Sequence, residues 1–326
     1  MKLVSILLIL TCGAAFAETE ERINKKFEAT PGGQLIVDVE FGAIDVASNA
    51  TSEVTVEVWR KITRKNKADE EQFLRDHLVK FSQDGNTIIV RCRYKEQKRR
   101  WFNWSSNNNR NEAKYTVRVP AAFNAKLDTS GGPIVVNDLT GMVKADTSGG
   151  GLKFERIHGP LDGDTSGGSI RVTDCEGKIK MDTSGGGIEV TGGGGSLNAD
   201  TSGGSITVRQ FNGPASVDTS GGGITIENVN GKITGDTSGG HVNAVLISPI
   251  PGDVKLSTSG GGMTVKIPAD AAFTLHAETS GGGVSCDLPI TIQGKWERNE
   301  LKGTVNGGGP SIELENSGGG IHVRKL

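Results

Sequence analysis

Cysteine is scarce in this chain: Cys12, Cys92, Cys175 and Cys286 are the only four among 326 residues. Cys12 falls in an N-terminal leader, and the other three are odd in number and far apart. That excludes a dense disulfide framework and any Cys-x-x-Cys metal pair. One bridge with a spare thiol stays open beside the preferred reading, three buried cysteines acting as small hydrophobes. Aromatic residues make up only 5% of the chain, too little for a large globular core, while 35% hydrophobic content exceeds that of a disordered chain. A thin, regular core is implied. Beyond the leader no apolar run approaches the ~20 residues that span a bilayer as a helix. The histidines, His77, His158, His241, His276 and His322, are scattered without a His-Glu-x-x-His run or another ligand spacing, so neither a metal nor a cofactor is expected. Neither sign of charge dominates, since 36 Lys and Arg stand against 38 Asp and Glu.

The first residues read as an export signal. Lys2 is followed by apolar residues 3–10 and by Ala15-Phe16-Ala17, the small-x-small pattern of a cleavage site. Residues 1–17 are therefore expected to be removed, leaving a mature chain from Glu18 that is periplasmic, cell-surface associated or secreted. Lipidation of Cys12 is the alternative, but Ile9-Leu10-Thr11 lacks the small residue that should precede a lipid-bearing cysteine.

What the chain has in abundance is glycine, 48 residues, and it is periodic. Asp-Thr-Ser-Gly-Gly begins at Asp128, Asp146, Asp164, Asp182, Asp200, Asp218 and Asp236, each 18 residues after the last. Looser copies follow at Ser257-Thr258-Ser259-Gly260-Gly261 and Glu278-Thr279-Ser280-Gly281-Gly282, and a degenerate pair at Asn306-Gly307-Gly308 and Asn316-Ser317-Gly318-Gly319. Each repeat carries two short alternating segments. Ile134, Leu152, Ile170, Ile188, Ile206, Ile224 and Val242 form one apolar column, and Val143, Leu161, Ile179, Leu197, Ala215 and Ile233 form the other. Alternation of period two predicts strands with one inward row.

One such turn cannot bury its apolar row, so the turns must stack, at about 4.8 Å, into parallel sheets. The expected fold is all-β, a single-stranded parallel β-helix with 18-residue turns. Its array covers residues 121–326, regular over 128–245 and irregular over 246–326. Gly-Gly pairs suit corners where a side chain on every turn would strike its neighbour.

Residues 18–120 read as irregular opening turns. Alternation marks strands at 34–40, 42–48, 53–64, 87–95 and 114–119. Helical spacing of Phe73, Leu74, Leu78 and Phe81 predicts one inserted helix over 68–81, capped by Asn66 and able to close one end of the stack.

Val119-Pro120, Leu127-Asp128-Thr129-Ser130-Gly131-Gly132, Gly308-Gly309-Pro310-Ser311-Ile312-Glu313-Leu314 and Ser317-Gly318-Gly319-Gly320-Ile321-His322-Val323 resemble the bacterial putative-adhesin family of β-helical repeats, a family of unknown function. The resemblance spans residues 34–326. It implies an envelope or surface location and brings no ligand or catalytic residue with it.

Two sets of residues are candidate sites. The aspartates Asp128, Asp146, Asp164, Asp182, Asp200, Asp218 and Asp236 would stack one per turn, each neighbouring pair repelling by about 1 kcal/mol even in water. Hydrogen bonds from Ser or Gly amides at the corner would make them a structural turn ladder. Divalent cations held by oxygen are the functional alternative.

The second set is Arg99, Arg100, Trp101, Phe102 and Trp104, in a basic aromatic loop over 98–113. Residues 91–118 hold nine Lys or Arg against two Glu, a balance of 9 minus 2, or +7. Residues 128–236 hold 14 acids against 8 bases, or −6. Aromatic residues among cations suit an anionic envelope surface or an acidic polysaccharide. The bland alternative packs the rings over the solenoid end. Export argues against nucleic acid as the partner.

The expected function is thus a non-enzymatic, adhesin-like binding scaffold. A carbohydrate-active β-helix enzyme, with converging carboxylates on one face, and a spacer without a ligand are the alternatives. An ice-binding surface is disfavoured because the alternation turns the Thr column inward.

Overall fold

The structure is a computed structural model that describes residues 18–94, 110–292 and 297–326. The leader with Cys12, and Arg99, Arg100, Trp101, Phe102 and Trp104, lie outside the described residues. The chain is all-β with one α-helix among the described residues, and it forms two compact units, Met1–Gly159 and Pro160–Leu326.

In the first unit the strands fall into two sheets. One runs Glu18–Glu28, Glu53–Thr63, Arg110–Pro120, Ala43–Asn49, Ile134–Asn137, Leu152–Glu155; the other runs Lys80–Asp84, Thr87–Cys92, Gly33–Val39, Phe123–Thr129, Val143–Thr147. Alternation sets the faces: Leu35, Val37 and Val39 are fully buried, and the residues between them reach the surface. Pairing is parallel where the repeats begin, with Val143 opposite Ala125 and Asp146 opposite Asp128, an offset of 143 minus 125, or 18.

The opening strands depart from this scheme. Glu18–Glu28 pairs antiparallel with Glu53–Thr63, which pairs antiparallel with Arg110–Pro120. The edge strand Glu18–Glu28 has no counterpart in the sequence reading, because ETEERINKKFE offers only Ile23 and Phe27 to an apolar row. Of the expected loop over 98–113, residues 110–113 belong instead to the strand Arg110–Pro120.

The helix is Lys67–Asp76, capped as expected by Asn66, whose side chain accepts from the Asp69 amide at 2.9 Å. It stops five residues before the expected end at 81. The His77 amide closes the last turn on the Phe73 carbonyl, and the chain passes into the strand Lys80–Asp84. The apolar set is therefore split. Phe73 stacks on His77 with ring centroids 3.9 Å apart, whereas Leu78 is 50% exposed. What fixes the helix to the edge strand is polar: buried Glu70 accepts from Thr19 Oγ1 at 2.7 Å and from the Arg64 amide at 2.9 Å.

In the second unit, strands from successive repeats pair in parallel. Leu161–Thr165, Glu176–Thr183, Gly194–Thr201, Ala215–Thr219, Ile233–Thr237 and Val254–Thr258 follow one another in one sheet, and Ile170–Thr173, Ile188–Thr191, Ile206–Arg209, Ile224–Glu227, Val242–Val245 and Met263–Ile267 in the other. The inward columns are buried, and so are the threonines of the signature: Thr165, Thr183, Thr201, Thr219 and Thr237 are at most 7% exposed.

Each threonine does corner work. Thr183 Oγ1 donates to the Gly168 carbonyl of the preceding turn at 2.9 Å and accepts from the Gly186 amide of its own turn at 3.3 Å. The same pair of bonds recurs at Thr201, Thr219 and Thr237. The second glycine of each pair has no room for a side chain. A Cβ on Gly186 would lie 2.1 Å from the Gly168 carbonyl oxygen, and one on Gly204 would lie 2.0 Å from that of Gly186.

Spatial order departs from chain order in the last turns. Ser311–Asn316 inserts between Val254–Thr258 and Phe273–Thr279, and Ile321–Lys325 between Met263–Ile267 and Val284–Cys286. The final repeat therefore lies inside the stack instead of ending it. Ile312, Leu314, Ile321 and Val323 complete the inward columns and are fully buried. Asn316 stands where the repeats have threonine, donating to the Gly261 carbonyl at 2.8 Å and accepting from the Gly318 and Gly319 amides at 3.0 and 3.1 Å. The outer side of Phe273–Thr279 is covered by the antiparallel strand Glu300–Val305.

Candidate functional site: an acidic ladder and a cation-flanked tryptophan

The aspartates of the repeats stand in register on the outward face: Asp128 opposite Asp146 in the first unit, and Asp164, Asp182, Asp200, Asp218 and Asp236 in succession in the second. The first-unit ladder starts one step earlier than the motif, because Asp38 lies opposite Asp128. The sequence hid it, since Gly33–Val39 lacks the Thr-Ser-Gly-Gly that marks the position elsewhere.

The amide of the second glycine at each corner goes to the signature threonine and that of the first glycine to the serine carbonyl of the turn before, while several aspartates are met by side chains. Arg93 spans Asp38 and Asp128 at 2.5 Å each, Lys180 reaches Asp182 at 2.5 Å, and Asn198 donates to Asp200 at 2.8 Å. Cationic cover then stops. The outward residues two positions before Asp200, Asp218 and Asp236 are Asn198, Ser216 and Thr234. Partial burial, then the charges of Asp218 and Asp182, push the Asp200 carboxyl up, and burial followed by the Asp236 charge does the same to Asp218. These carboxylates line an open groove of about 410 Å³ running from Asp164 to Ser238 along the Thr and Ser columns.

The Trp101 loop lies outside the described residues, and the strand that follows it in the chain, Arg110–Pro120, carries a second site. Across three antiparallel strands, Arg22 lies opposite Trp59 and Trp59 opposite Lys114. With Asn24, Glu57, Val58 and Thr116 they line a hollow of about 220 Å³. The indole is held by its Nε1–H, which donates to Glu20 Oε1 at 2.6 Å. Arg22 donates to the same oxygen through Nε and Nη2 at 2.9 and 2.7 Å. The Trp59 hydrogen bond, followed by that of Arg22, holds the Glu20 carboxyl below its ordinary range. Lys114 lies 3.5 Å from Asp45, and Arg22 and Lys114 are 68% and 52% exposed. Sequence reading missed this row because its members are far apart in the chain and only antiparallel pairing aligns them.

No helix among the described residues is long and apolar enough to cross a membrane. The fold and its surfaces define an all-β protein of parallel strands stacked in long sheets, with an acidic ladder on one face. The chain belongs to the Toastrack DUF4097 family, which it matches over residues 35–324.

Among solved structures, a putative adhesin from Parabacteroides distasonis ATCC 8503 is 12% identical, with 94% of this chain and 97% of that one covered and a TM-score of 0.40. A putative adhesin from Parabacteroides merdae ATCC 43184 is 12% identical over 94% and 96%, with a TM-score of 0.37. A putative lipid binding protein from Parabacteroides distasonis ATCC 8503 is 9% identical over 94% and 96%, with a TM-score of 0.26. Likenesses this distant transfer no ligand. No curated protein matches the chain.

Proposed function

We propose that this is an exported, non-enzymatic envelope or surface protein whose parallel β-solenoid is a scaffold for binding an anionic polymer, an acidic polysaccharide above all. The observation that carries this reading is the row Arg22–Trp59–Lys114, an amphipathic ring flanked on a sheet face by two exposed cations, paired with Glu20 and Asp45. A sugar ring can pack on an indole while carboxylates or sulfates meet guanidinium and ammonium groups. The loop with Arg99, Arg100, Trp101, Phe102 and Trp104 enters the strand that carries Lys114, so it supplies more of the same chemistry nearby in the chain.

A second reading, a carbohydrate-active enzyme, is favoured by one feature. Carboxylates with raised proton affinity line the groove from Asp164 to Ser238, and such groups serve as general acids.

Cosedimentation of the mature protein with acidic polysaccharide, neutral polysaccharide, and anionic or neutral vesicles tests the first reading. Wild type should bind the acidic polysaccharide, more weakly as salt rises. Trp59→Ala, and Arg22→Ala with Lys114→Ala, should each lower affinity about tenfold or more while circular dichroism stays unchanged. Variants that bind like wild type would sink this reading. Shortening of the polysaccharide during incubation, abolished by Asp218→Asn, would favour the enzyme.

A further inference from the structure

Where the regular array gives way, the outward position held by aspartate passes to Ser257, Glu315, Glu278 and Glu300, each directly opposite the next. Glu315 has Lys255 at 3.2 Å. Glu278, by contrast, is paired with a glutamate on either side, and like charges directly opposite one another destabilise a sheet.

Beside it on the same face is His276. Its Nε2 lies 3.4 Å from Glu300 Oε1 and 3.9 Å from Glu278 Oε2, yet this nitrogen is buried and makes no hydrogen bond. One ligand atom from each of the three side chains falls within 4.8 Å of the others.

We infer that His276, Glu278 and Glu300 form a binding site for a divalent transition-metal ion of the zinc type. An imidazole with two carboxylates is a mixed nitrogen and oxygen donor set, which suits zinc, whereas calcium and magnesium take oxygen alone. With metal–ligand bonds of about 2.0–2.2 Å, a tetrahedral site has ligands about 3.4 Å apart. The His276–Glu300 separation matches that edge, and the wider gap to Glu278 closes by rotation of an exposed side chain.

Three protein ligands leave a fourth position for water. The ion would also relieve the Glu278–Glu300 repulsion and tie Phe273–Thr279 to Glu300–Val305, the strand that covers its outer side. Lys302, whose ammonium contacts Glu300, holds the carboxylate without metal and must swing away when the ion enters.

The test is calorimetric titration of the tag-free mature protein with zinc chloride, together with thermal unfolding with and without the ion. Wild type should take up one zinc per chain and melt at a higher temperature when loaded. His276→Ala and Glu300→Gln should each weaken uptake at least about tenfold while metal-free melting stays close to wild type. Lys302→Met should tighten it, and Asp218→Asn should leave it unchanged. If His276→Ala does not fold, Glu300→Gln carries the test. Failure of wild type to bind zinc overturns the assignment, and so does uptake that survives both ligand substitutions, which would place the ion elsewhere.

Discussion

Adjacent glycines of one corner should respond very unequally to the same substitution. At Gly185 an added Cβ meets nothing closer than 3.5 Å, and its backbone is not left-handed. At Gly186 it lies 2.1 Å from the Gly168 carbonyl oxygen, more than 1 Å inside ordinary contact. To admit it, the turn must separate from the one before. That stretches the Gly185 amide bond to the Ser166 carbonyl, 3.1 Å, and the Thr183 Oγ1 bond to the Gly168 carbonyl, 2.9 Å.

Overpacking costs about 1–3 kcal/mol, and two weakened hydrogen bonds add about 1 kcal/mol each at most. Gly186→Ala should therefore destabilise by about 3 kcal/mol. Gly185→Ala should stay within about 0.5 kcal/mol of wild type, helped by reduced freedom of its unfolded chain. Repeat arrays can unfold in parts, so hydrogen exchange of amides in the strands Ile170–Thr173 and Ile188–Thr191 should accompany the denaturant curves. Equal effects at the two positions would refute the stacking argument.

Two further outcomes follow from the second unit. Deletion of residues 309–326 should do far more than fray an end, because Ile312, Leu314, Ile321 and Val323 lie between strands of earlier turns. At about 1.5–3 kcal/mol for each buried side chain, the loss is at least about 6 kcal/mol. Unchanged exchange protection in Met263–Ile267 and Phe273–Thr279 would refute the inserted order.

Asp218→Asn should raise the denaturation midpoint at neutral pH. Burial, then Asp236, raises the folded carboxyl's proton affinity, so between the unfolded value of about 3.9 and the raised folded value the native state holds more protons. Stability therefore falls as pH rises through that window, and the deficit persists above it. The gain from asparagine should fade as pH drops toward and below about 4, and a gain independent of pH would contradict the assignment.

Sequence alone determined the repeating body. A strict 18-residue period, inward threonines, apolar columns and Gly-Gly corners are local facts repeated at every turn, so one correct register fixes all of them, whereas which glycine of the pair is crowded is decided by the neighbouring turn. The Asn66 cap was legible for the same reason, as it depends on residues three positions apart.

Tertiary structure decided what depends on distant partners. Nothing in Ser311–Asn316 or Ile321–Lys325 says that they lie between earlier turns, because their apolar pattern fits any place in the stack. Only the fit of Asn316 beside Gly261 and the covering of Phe273–Thr279 by Glu300–Val305 select one. The candidate sites divide likewise. The aspartate ladder could be read from its period, whereas Arg22–Trp59–Lys114 and His276–Glu278–Glu300 are brought together by antiparallel pairing, whose register leaves no period in the sequence.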